Sequence, residues 1–318
     1  MVNPAVPVLA VLSGVLAAPH LYRVGSFVWL YFLRPSSIRR YLHGPAPYAL
    51  VTGATDGIGK AFARELLRNG FNLVLHGRNE TKMLKVVEEL RTSVPETAGA
   101  DIRYFIADAG QAGHDFAKMV EPLKDLHITL VYHNVGGSDT SPERLDERSE
   151  DYIYGMIHKN ALFALFLNRV LLPHLRRSAQ SGPVLVQFMG SIAADVAPPR
   201  LAIYAATKGF LRSLARGLDN DELFFDGPTG VRYTYLAVGP VHAENQETPM
   251  EENFRTPSCE TFAKAVMART GCGLRRVAPY AAHSFLMWFT SNVLGEAVVD
   301  KFSAAEIHSL IQRSKRVE

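Results

Sequence analysis

The sequence predicts an α/β protein in which helices cover both faces of a single doubly wound parallel sheet. Short apolar segments alternate with amphipathic stretches along residues 45–318, a glycine-rich turn follows the first apolar segment, and small or polar residues follow several later ones. Such alternation is typical of parallel sheets, because a strand buried on both faces reads as a continuous apolar run. Residues 1–44 form an apolar extension before this three-layer α/β/α domain.

Composition and charge exclude several classes of protein. The chain has 318 residues, and because 47% are hydrophobic it can bury a full core, which excludes global disorder. The net charge of +3 is small and the basic residues are dispersed, so nucleic acid is not an indicated partner. Cys259 and Cys272 are too few for a disulfide framework and lack the spacing of metal ligands, so we expect a reducing compartment and no metal.

The N-terminal extension contains two apolar segments, Ala5–Ala18 and Ser26–Leu33, with Arg23 between them. Residues 5–33 together exceed the roughly 20 residues that a bilayer requires, although burying the arginine costs roughly 2.5–3.5 kcal/mol. The arginines that follow match the positive-inside rule for a cytosolic flank: Arg34, Arg39 and Arg40. The pattern favours a membrane anchor, spanning or re-entrant; the alternative is an apolar arm packed on the fold or on a partner chain.

A strand, a glycine turn and a helix follow the Gly/Pro-rich linker His43–Pro47 in direct succession. Tyr48–Thr52 predicts a buried strand, and Lys60–Asn69 has a helical pattern. Glycines between them let the backbone approach a pyrophosphate, and the helix N-terminus offers free N–H groups and partial positive charge. We therefore expect a Rossmann-like dinucleotide site formed by Gly53, Thr55, Asp56, Gly57, Ile58 and Gly59.

The ends of the next strands select and hold the predicted cofactor. The strand Phe71–Leu75 is not followed by the acidic residue that would select NAD; Arg78 stands there instead and can pair with a 2′-phosphate, which predicts NADP(H). The alternative is that this arginine is only a solvated loop residue. Later strand ends carry Asp108, a candidate acceptor for the adenine amino group, and Asn134 and Gly136, in a run of small residues that lets a cofactor lie close.

Tyr204 and Lys208 are four residues apart, so on a helix both project from one face. A neighbouring ammonium favours a phenolate, and we therefore expect the lysine to lower the pKa of the tyrosine from its usual value near 10. Ser191 follows the apolar strand Val184–Phe188, where it would hydrogen-bond a carbonyl that the tyrosine protonates. Taken alone, such a pair is more often a half-buried ring and a solvated amine; its agreement with the rest of the chain favours catalysis.

Residues 239–295 form the predicted substrate region. Gly239–Arg275 reads as a polar, loop-rich lid that carries Glu244, Glu247, Glu251 and Glu252. Val277–Leu294 is apolar and predicts a helix that closes an apolar pocket, touches the membrane, or packs in the core. An earlier amphipathic helix, Tyr152–Leu172, contains Asn160, a residue that is often a satisfied polar group with no further role.

These motifs together resemble the short-chain dehydrogenase/reductase superfamily over about Tyr48 to Val241. TGATDGIG is similar to its cofactor fingerprint and HNVGG to its Asn-Asn-Ala-Gly-like motif. More narrowly, TGATDGIGKAFA, IYAATKGF and the segment Thr256–Phe262 resemble the branch of 17β-hydroxysteroid dehydrogenases and very-long-chain 3-oxoacyl-CoA reductases. That branch also has an apolar N-terminal extension, which anchors it in the endoplasmic reticulum, and many relatives pair through their long helices as homodimers.

The resemblance implies a role for each matching residue. Tyr204 would be the proton donor, and Lys208 would hold the nicotinamide ribose. Ser191 would orient the carbonyl, and Asn160 would hold a water that links the lysine to solvent. NADPH would bind over Gly53, Ile58, Asp108, Asn134 and Val241.

The chain departs from the branch pattern at several positions. His133 replaces the first Asn of its motif, and Gly190 stands where the branch often has a second serine before Ser191. The segment Val238–Ala243 lacks the usual Pro at its first position and Thr at its last. None of these changes removes a member of the catalytic tetrad that the resemblance implies, which is Ser191, Tyr204, Lys208 and Asn160.

The expected function is NADPH-dependent reduction of a ketone on a lipid-like substrate, a 3-oxoacyl-CoA in fatty-acid elongation above all. We expect it at the endoplasmic reticulum membrane, with the catalytic domain facing the cytosol; the alternative is a cytoplasmic enzyme. A steroid or polyketide-like ketone is an alternative substrate, and a non-catalytic NADP(H)-binding sensor or scaffold is an alternative of another class. The intact tetrad argues against the last.

Overall fold

The computed structural model describes residues 5–93, 99–139, 141–225, 227–243 and 250–314. The chain divides into two compact units, residues 1–36 and residues 37–318. Glu244 and Glu247 of the predicted lid lie outside the described residues.

The first unit is a helix, α1 (Ala5–Val28), that continues into a π-helical turn at Trp29–Leu33. Pro19 lies inside α1, where it removes one backbone donor from the helix. Large apolar side chains of this unit are exposed, among them Leu16, Leu21, Tyr22 and Phe32. Within the described part of the chain, no helix combines the length and the apolar character that crossing a membrane requires.

The second unit is built on one parallel sheet, in which the described residues form seven strands in the order β3-β2-β1-β4-β5-β6-β7. Every neighbouring pair is parallel, so all carboxyl ends meet at one edge of the sheet. The strands are β1 (Pro47–Thr52), β2 (Asn72–Gly77), β3 (Ile102–Ile106), β4 (His127–His133), β5 (Val184–Met189), β6 (Val231–Leu236) and β7 (Arg276–Val277). The predicted parallel sheet is therefore confirmed, and the strand order reverses between β1 and β4, which opens a ligand crevice there.

Helices cover both faces of the sheet, as predicted. The α-helices described in this unit are α2 (Gly57–Arg68), α3 (Glu80–Ser93), α4 (Phe116–Val120), α5 (Glu150–Ile157), α6 (Phe163–Ser178), α7 (Ala193–Val196), α8 (Ala202–Phe224), α9 (Cys259–Arg269), α10 (Ala281–Asn292) and α11 (Glu296–Ser314). The core between α6, α8 and the sheet buries Leu167, Leu171 and Leu211 against Val186 and Tyr233. Burial of each aliphatic side chain there contributes about 1.5–3 kcal/mol, and this core holds the strand ends in place.

The predicted helix Tyr152–Leu172 is interrupted and longer. α5 and α6 are joined by a π-helical turn, His158–Leu162, and α6 continues to Ser178. A π turn inserts one extra residue into the helix and is common at functional sites. Asn160 lies in this turn and is buried.

The predicted substrate region contains more regular structure than the sequence indicates. The lid includes α9, which Ser258 caps by accepting a hydrogen bond from the Thr261 N–H at 3.4 Å. The expected helix from Val277 is wrong at its start, because Val277 completes β7 and the helix begins only at Ala281. Pro279 stands between them and supplies no backbone donor.

Candidate active site

The glycine turn joins the end of β1 to the start of α2. Gly53 and Gly57 have φ angles of +67° and +51°, which side chains disfavour. A Cβ atom on Gly59 would lie 2.1 Å from the carbonyl oxygen of Gly53, so this position also admits only glycine. Asp56 caps α2 by accepting a hydrogen bond from the Gly57 N–H at 2.8 Å, and Ile58 lies in the first turn of the helix. The predicted glycine turn therefore forms directly before the N-terminus of α2, and its binding of a phosphate stays a prediction.

His76, near the end of β2, hydrogen-bonds to the glycine turn and to the residue that follows β3. Its Nδ1 accepts a hydrogen bond from the Gly53 N–H at 3.3 Å, and its Nε2 pairs with the carbonyl oxygen of Ala107 at 3.1 Å. Accepting at one nitrogen and donating at the other requires a neutral ring, and burial lowers the pKa of His76 to about 4. The sequence does not single out this residue; its one signal is a polar residue at the end of an apolar strand.

Asn134 holds the turn from the side of β4. Its side-chain amide donates to the carbonyl oxygens of Thr52 and Gly53 at 3.0 and 3.2 Å. The backbone N–H groups of Asn134 and Val135 both donate to the Thr52 hydroxyl, at 2.9 and 3.0 Å. The predicted cofactor residue Asn134 therefore lies at the crevice, with its amide engaged in fixing the glycine turn.

The other predicted cofactor residues lie at the same edge of the sheet. Arg78 follows β2 with an exposed side chain that has no hydrogen-bond or ion-pair partner within the described residues. A Cβ atom at Gly77 would lie 2.5 Å from a methyl carbon of Thr55 and 3.0 Å from Met83, so an acidic side chain does not fit there. Asp108, beyond β3, accepts from the Gly110 N–H at 2.9 Å, and Val241, beyond β6, is buried.

The predicted catalytic pair lies at the N-terminal end of α8. Tyr204 is in its first turn, and the amine nitrogen of Lys208 is 5.5 Å from the centre of the tyrosine ring. This nitrogen donates a hydrogen bond to the carbonyl oxygen of Met189, the last residue of β5, at 2.7 Å. Burial, together with the charge of Lys159, lowers the pKa of Lys208 to about 8.

The pKa of Tyr204 is raised, so the expectation that Lys208 lowers it is wrong. Burial disfavours the phenolate and raises the pKa, and the hydroxyl of Ser191 acts in the opposite direction without outweighing it. The lysine amine is engaged with the Met189 carbonyl. Tyr204 is consequently a phenol at neutral pH, the form that donates a proton.

The other two predicted catalytic residues are Ser191 and Asn160. Ser191 is buried beyond β5, and its side-chain oxygen accepts from the Ala193 N–H at 3.0 Å. Asn160 accepts from the Gly137 N–H at 2.8 Å and donates to the carbonyl oxygens of Gly137 and Met156 at 3.0 and 3.1 Å. A Cβ atom on Gly136 would lie 2.7 Å from the Asn160 side-chain oxygen and 3.2 Å from the Lys208 nitrogen, so these three groups meet.

A cavity of about 220 Å³ opens beside Tyr204. Arg148 forms one wall: its guanidinium is 2.7 Å from Asp139, 3.1 Å from Glu143 and 4.2 Å from the centre of the Tyr152 ring. Apolar side chains also line the cavity, namely Leu145, Met156, Leu201 and Ile203, and Arg144 and Arg200 add charged groups to its wall. The predicted proton donor thus faces a space that a substrate can enter.

His283 of α10 holds the segment after β6. Its Nδ1 accepts from the Gly239 N–H at 3.2 Å, and its Nε2 pairs with the carbonyl oxygens of Pro240 and Arg255 at 3.0 and 3.1 Å. A Cβ atom on Gly239 would lie 2.6 Å from the imidazole ring, so the two residues fit only as this pair. Burial lowers the pKa of His283 and keeps it neutral. The sequence does not point to this histidine, which lies within an apolar stretch.

The fold and the site together define a dinucleotide-binding oxidoreductase. Residues 47–253 match the family of short chain dehydrogenases, and the chain belongs to that family. It is accordingly an oxidoreductase that acts on small molecules.

Its relatives include proteins with a narrower name. A very-long-chain 3-oxoacyl-CoA reductase of Kluyveromyces lactis is 26% identical over 275 residues, which are 84% of this chain and 77% of that protein. A very-long-chain 3-oxoacyl-CoA reductase-like protein of Arabidopsis thaliana is 30% identical over 284 residues, 86% of this chain and 84% of that protein. A solved short-chain dehydrogenase of Sphingobium yanoikuyae in complex with NADPH shares the fold, with a TM-score of 0.62 and 21% identity over 84% of this chain and 95% of its own.

His133, which departs from the family motif, predicts that the free energy of unfolding decreases measurably as the pH is lowered. The ring stacks on Phe188 with 4.8 Å between ring centres, and neither ring nitrogen forms a hydrogen bond of good geometry within the described residues. Burial lowers the pKa of His133 to about 3, and the nearby Asn168 side chain only partly opposes this. The folded-state pKa lies below the usual 6.5, so the stability that the neutral ring contributes is complete above pH 6.5 and is lost as the pH falls toward 3. Between pH 7.5 and 5.0 we expect this loss to reach about 2 kcal/mol.

Chemical denaturation of the wild type and of His133→Asn at those two pH values measures this loss. The free energy of unfolding of the wild type should fall by about 2 kcal/mol more than that of the variant, whose amide does not titrate. Other buried histidines, such as His76, are present in both proteins, so their contributions to the pH dependence cancel in the comparison. An identical pH dependence in the two proteins would contradict the prediction.

Proposed function

We propose that this protein reduces a ketone on a lipid-like substrate with NADPH, and that the substrate is a 3-oxoacyl-CoA. One observation carries the proposal: the hydroxyls of Ser191 and Tyr204 and the buried amine of Lys208 converge beside a cavity at the carboxyl edge of the sheet. The names of the relatives support the substrate class. The proposed chemistry is the same whether the protein is a homodimer or a monomer.

The crevice fits NADP(H). Three glycines leave room for a pyrophosphate beside the N-terminus of α2, and no side chain can project from Gly77. Arg78 is the cation nearest the end of β2 in the chain, and its exposed guanidinium can pair with a 2′-phosphate. When bound, the cofactor supplies the hydride; Asp108 and Val241 would border the adenine and the nicotinamide ends.

The protein's own groups supply the proton. The Ser191 oxygen accepts from the Ala193 N–H, so its hydroxyl hydrogen can be donated; it interacts with Tyr204 and would polarise the carbonyl of a bound substrate. Tyr204, a phenol at neutral pH, donates its proton to the same oxygen. Lys208, with a pKa of about 8, is mostly protonated at pH 7 and returns the proton to the tyrosine. The predicted water link from Lys208 to solvent through Asn160 remains part of this proposal.

Turnover with purified protein and NADPH tests the function. We expect activity with 3-oxoacyl-CoA to exceed that with steroid and polyketide-like ketones.

Tyr204→Phe should lower kcat by about 10²–10⁴, the usual contribution of a general acid, and Lys208→Ala should abolish turnover at neutral pH. Tyr154→Phe, on an exposed ring of α5, is the control and should leave kcat unchanged. Near-normal rates in the Tyr204 variant would refute the assignment, and cofactor binding without turnover of any ketone would favour a sensor or scaffold.

Cofactor selectivity has its own test. Arg78→Ala should weaken NADPH binding about 10- to 100-fold, because a hydrogen bond to a charged group contributes about 1.5–3 kcal/mol. NADH binding should stay the same. Lys82→Ala, an exposed cation at the start of α3, is the matched control. Equal losses for NADPH and NADH, measured by fluorescence titration, would count against the 2′-phosphate role.

We also propose that the apolar segment 5–33 attaches the enzyme to the endoplasmic reticulum membrane, with the catalytic domain facing the cytosol. Its exposed side chains, such as Leu21 and Phe32, support this, as do the arginines that follow. Deletion of residues 1–36 spares Ile38 and Tyr41, which are buried. The truncated protein should move from the membrane pellet to the supernatant and still bind NADPH. Continued pelleting would place the membrane contact elsewhere, for instance at the exposed Trp288 of α10.

A further inference from the structure

A second tyrosine hydroxyl lies against the backbone of Ser191. Tyr235 of β6 accepts a hydrogen bond from the Ser191 N–H at 2.9 Å and donates one to the Ser191 carbonyl oxygen at 3.0 Å. Both residues are buried, Tyr235 almost completely. One phenol hydroxyl can donate and accept at once, so it satisfies both backbone groups of the serine.

Gly190 makes room for this ring. A Cβ atom there would lie 1.9 Å from the ring carbon that bears the hydroxyl of Tyr235 and 2.4 Å from its oxygen. Gly190 does not have a positive φ, so space is the reason for the glycine and backbone conformation is not. The ring of Tyr235 therefore occupies the space that a side chain at position 190 would need, and the two residues form a sterically matched pair.

Further bonds restrict the serine on its other side. The N–H of Ile192 donates to the carbonyl oxygen of Val238 at 2.9 Å, and the N–H of Ala193 donates to the Ser191 side-chain oxygen at 3.0 Å. Tyr235 holds the backbone of Ser191 and Ala193 holds its side-chain oxygen, so the position of the hydroxyl oxygen is fixed from both sides. Burial raises the pKa of Tyr235 to about 12, so this tyrosine stays a phenol and keeps donating.

We propose that Tyr235 is a positioning residue, which fixes the Ser191 hydroxyl on the carbonyl that Tyr204 protonates. The inference rests on the proposed function. Tyr235 acts through the backbone of the serine, because both bonding directions of its hydroxyl are already used. Removal of the Tyr235 hydroxyl should displace Ser191 and leave both the cofactor crevice and the cavity beside Tyr204 open.

Tyr235→Phe tests this, because it keeps the ring over Gly190 and removes only the hydroxyl. We expect kcat to fall about 10- to 100-fold, as small misplacements of reacting groups do, while KM for the ketone and Kd for NADPH change less than about twofold. Tyr233→Phe is the matched control. It removes another buried hydroxyl two residues earlier on β6, one that accepts from the Asn168 amide at 3.2 Å, and it should leave kcat unchanged.

A double-mutant cycle separates positioning from a general loss of structure. In a Ser191→Ala background, Tyr235→Phe should have no further effect on kcat, because the hydroxyl that it positions is already gone. The same loss in both backgrounds would overturn the inference.

Hydrogen exchange of the free enzyme gives a readout without turnover. The amide of Ser191 should exchange faster in Tyr235→Phe than in the wild type or in Tyr233→Phe, and unchanged exchange would also overturn the inference. A wild type that turns over no ketone refutes the proposed function. An active wild type with an equally active Tyr235→Phe variant refutes this inference alone.

Discussion

The hydrogen bond between the amine of Lys208 and the carbonyl oxygen of Met189 is the interaction on which the candidate site depends. A buried ammonium is costly without a polar partner, so this bond ties α8 to the end of β5. Because Tyr204 lies one turn before the lysine, the same bond places its ring beside Ser191, which follows β5 by two residues. A single constraint thus brings together a helix and a strand end that are distant along the chain.

The opposite side of the crevice is built on neutral groups. Asn134 and His76 bind the backbone around Gly53 from behind, and burial keeps the histidine uncharged. These side chains hold the turn at the N-terminus of α2, where the Gly57 N–H is bonded to Asp56 and the next N–H groups of the first turn have no partner within the helix. Donors that are fixed before binding need little reorganisation when an anion arrives, which is the physical basis of electrostatic preorganisation.

Two of the glycines next to the site share one physical explanation. Because Gly190 has no side chain, the ring of Tyr235 can lie against it, and Gly239 likewise leaves room for the imidazole of His283. In each pair the hydroxyl or ring nitrogen then bonds the backbone that the glycine brings near. Two buried rings thus support the backbone beside the candidate site, each in the space left by a glycine.

The sequence by itself determined the parallel sheet, the glycine turn and the set of candidate catalytic residues, because apolar periodicity and motif spacing are local properties of a chain. It could not show the two-residue strand β7, which is too short to form a pattern, or the π turn that buries Asn160 inside a helical pattern. It also predicted the wrong direction for the pKa of Tyr204, since that depends on burial and on where the Lys208 amine finds its partner. The support of Ser191 by Tyr235 joins residues 44 apart in sequence. Only the tertiary structure decides such contacts, because side chains that are remote in the chain meet only when the strands are placed side by side.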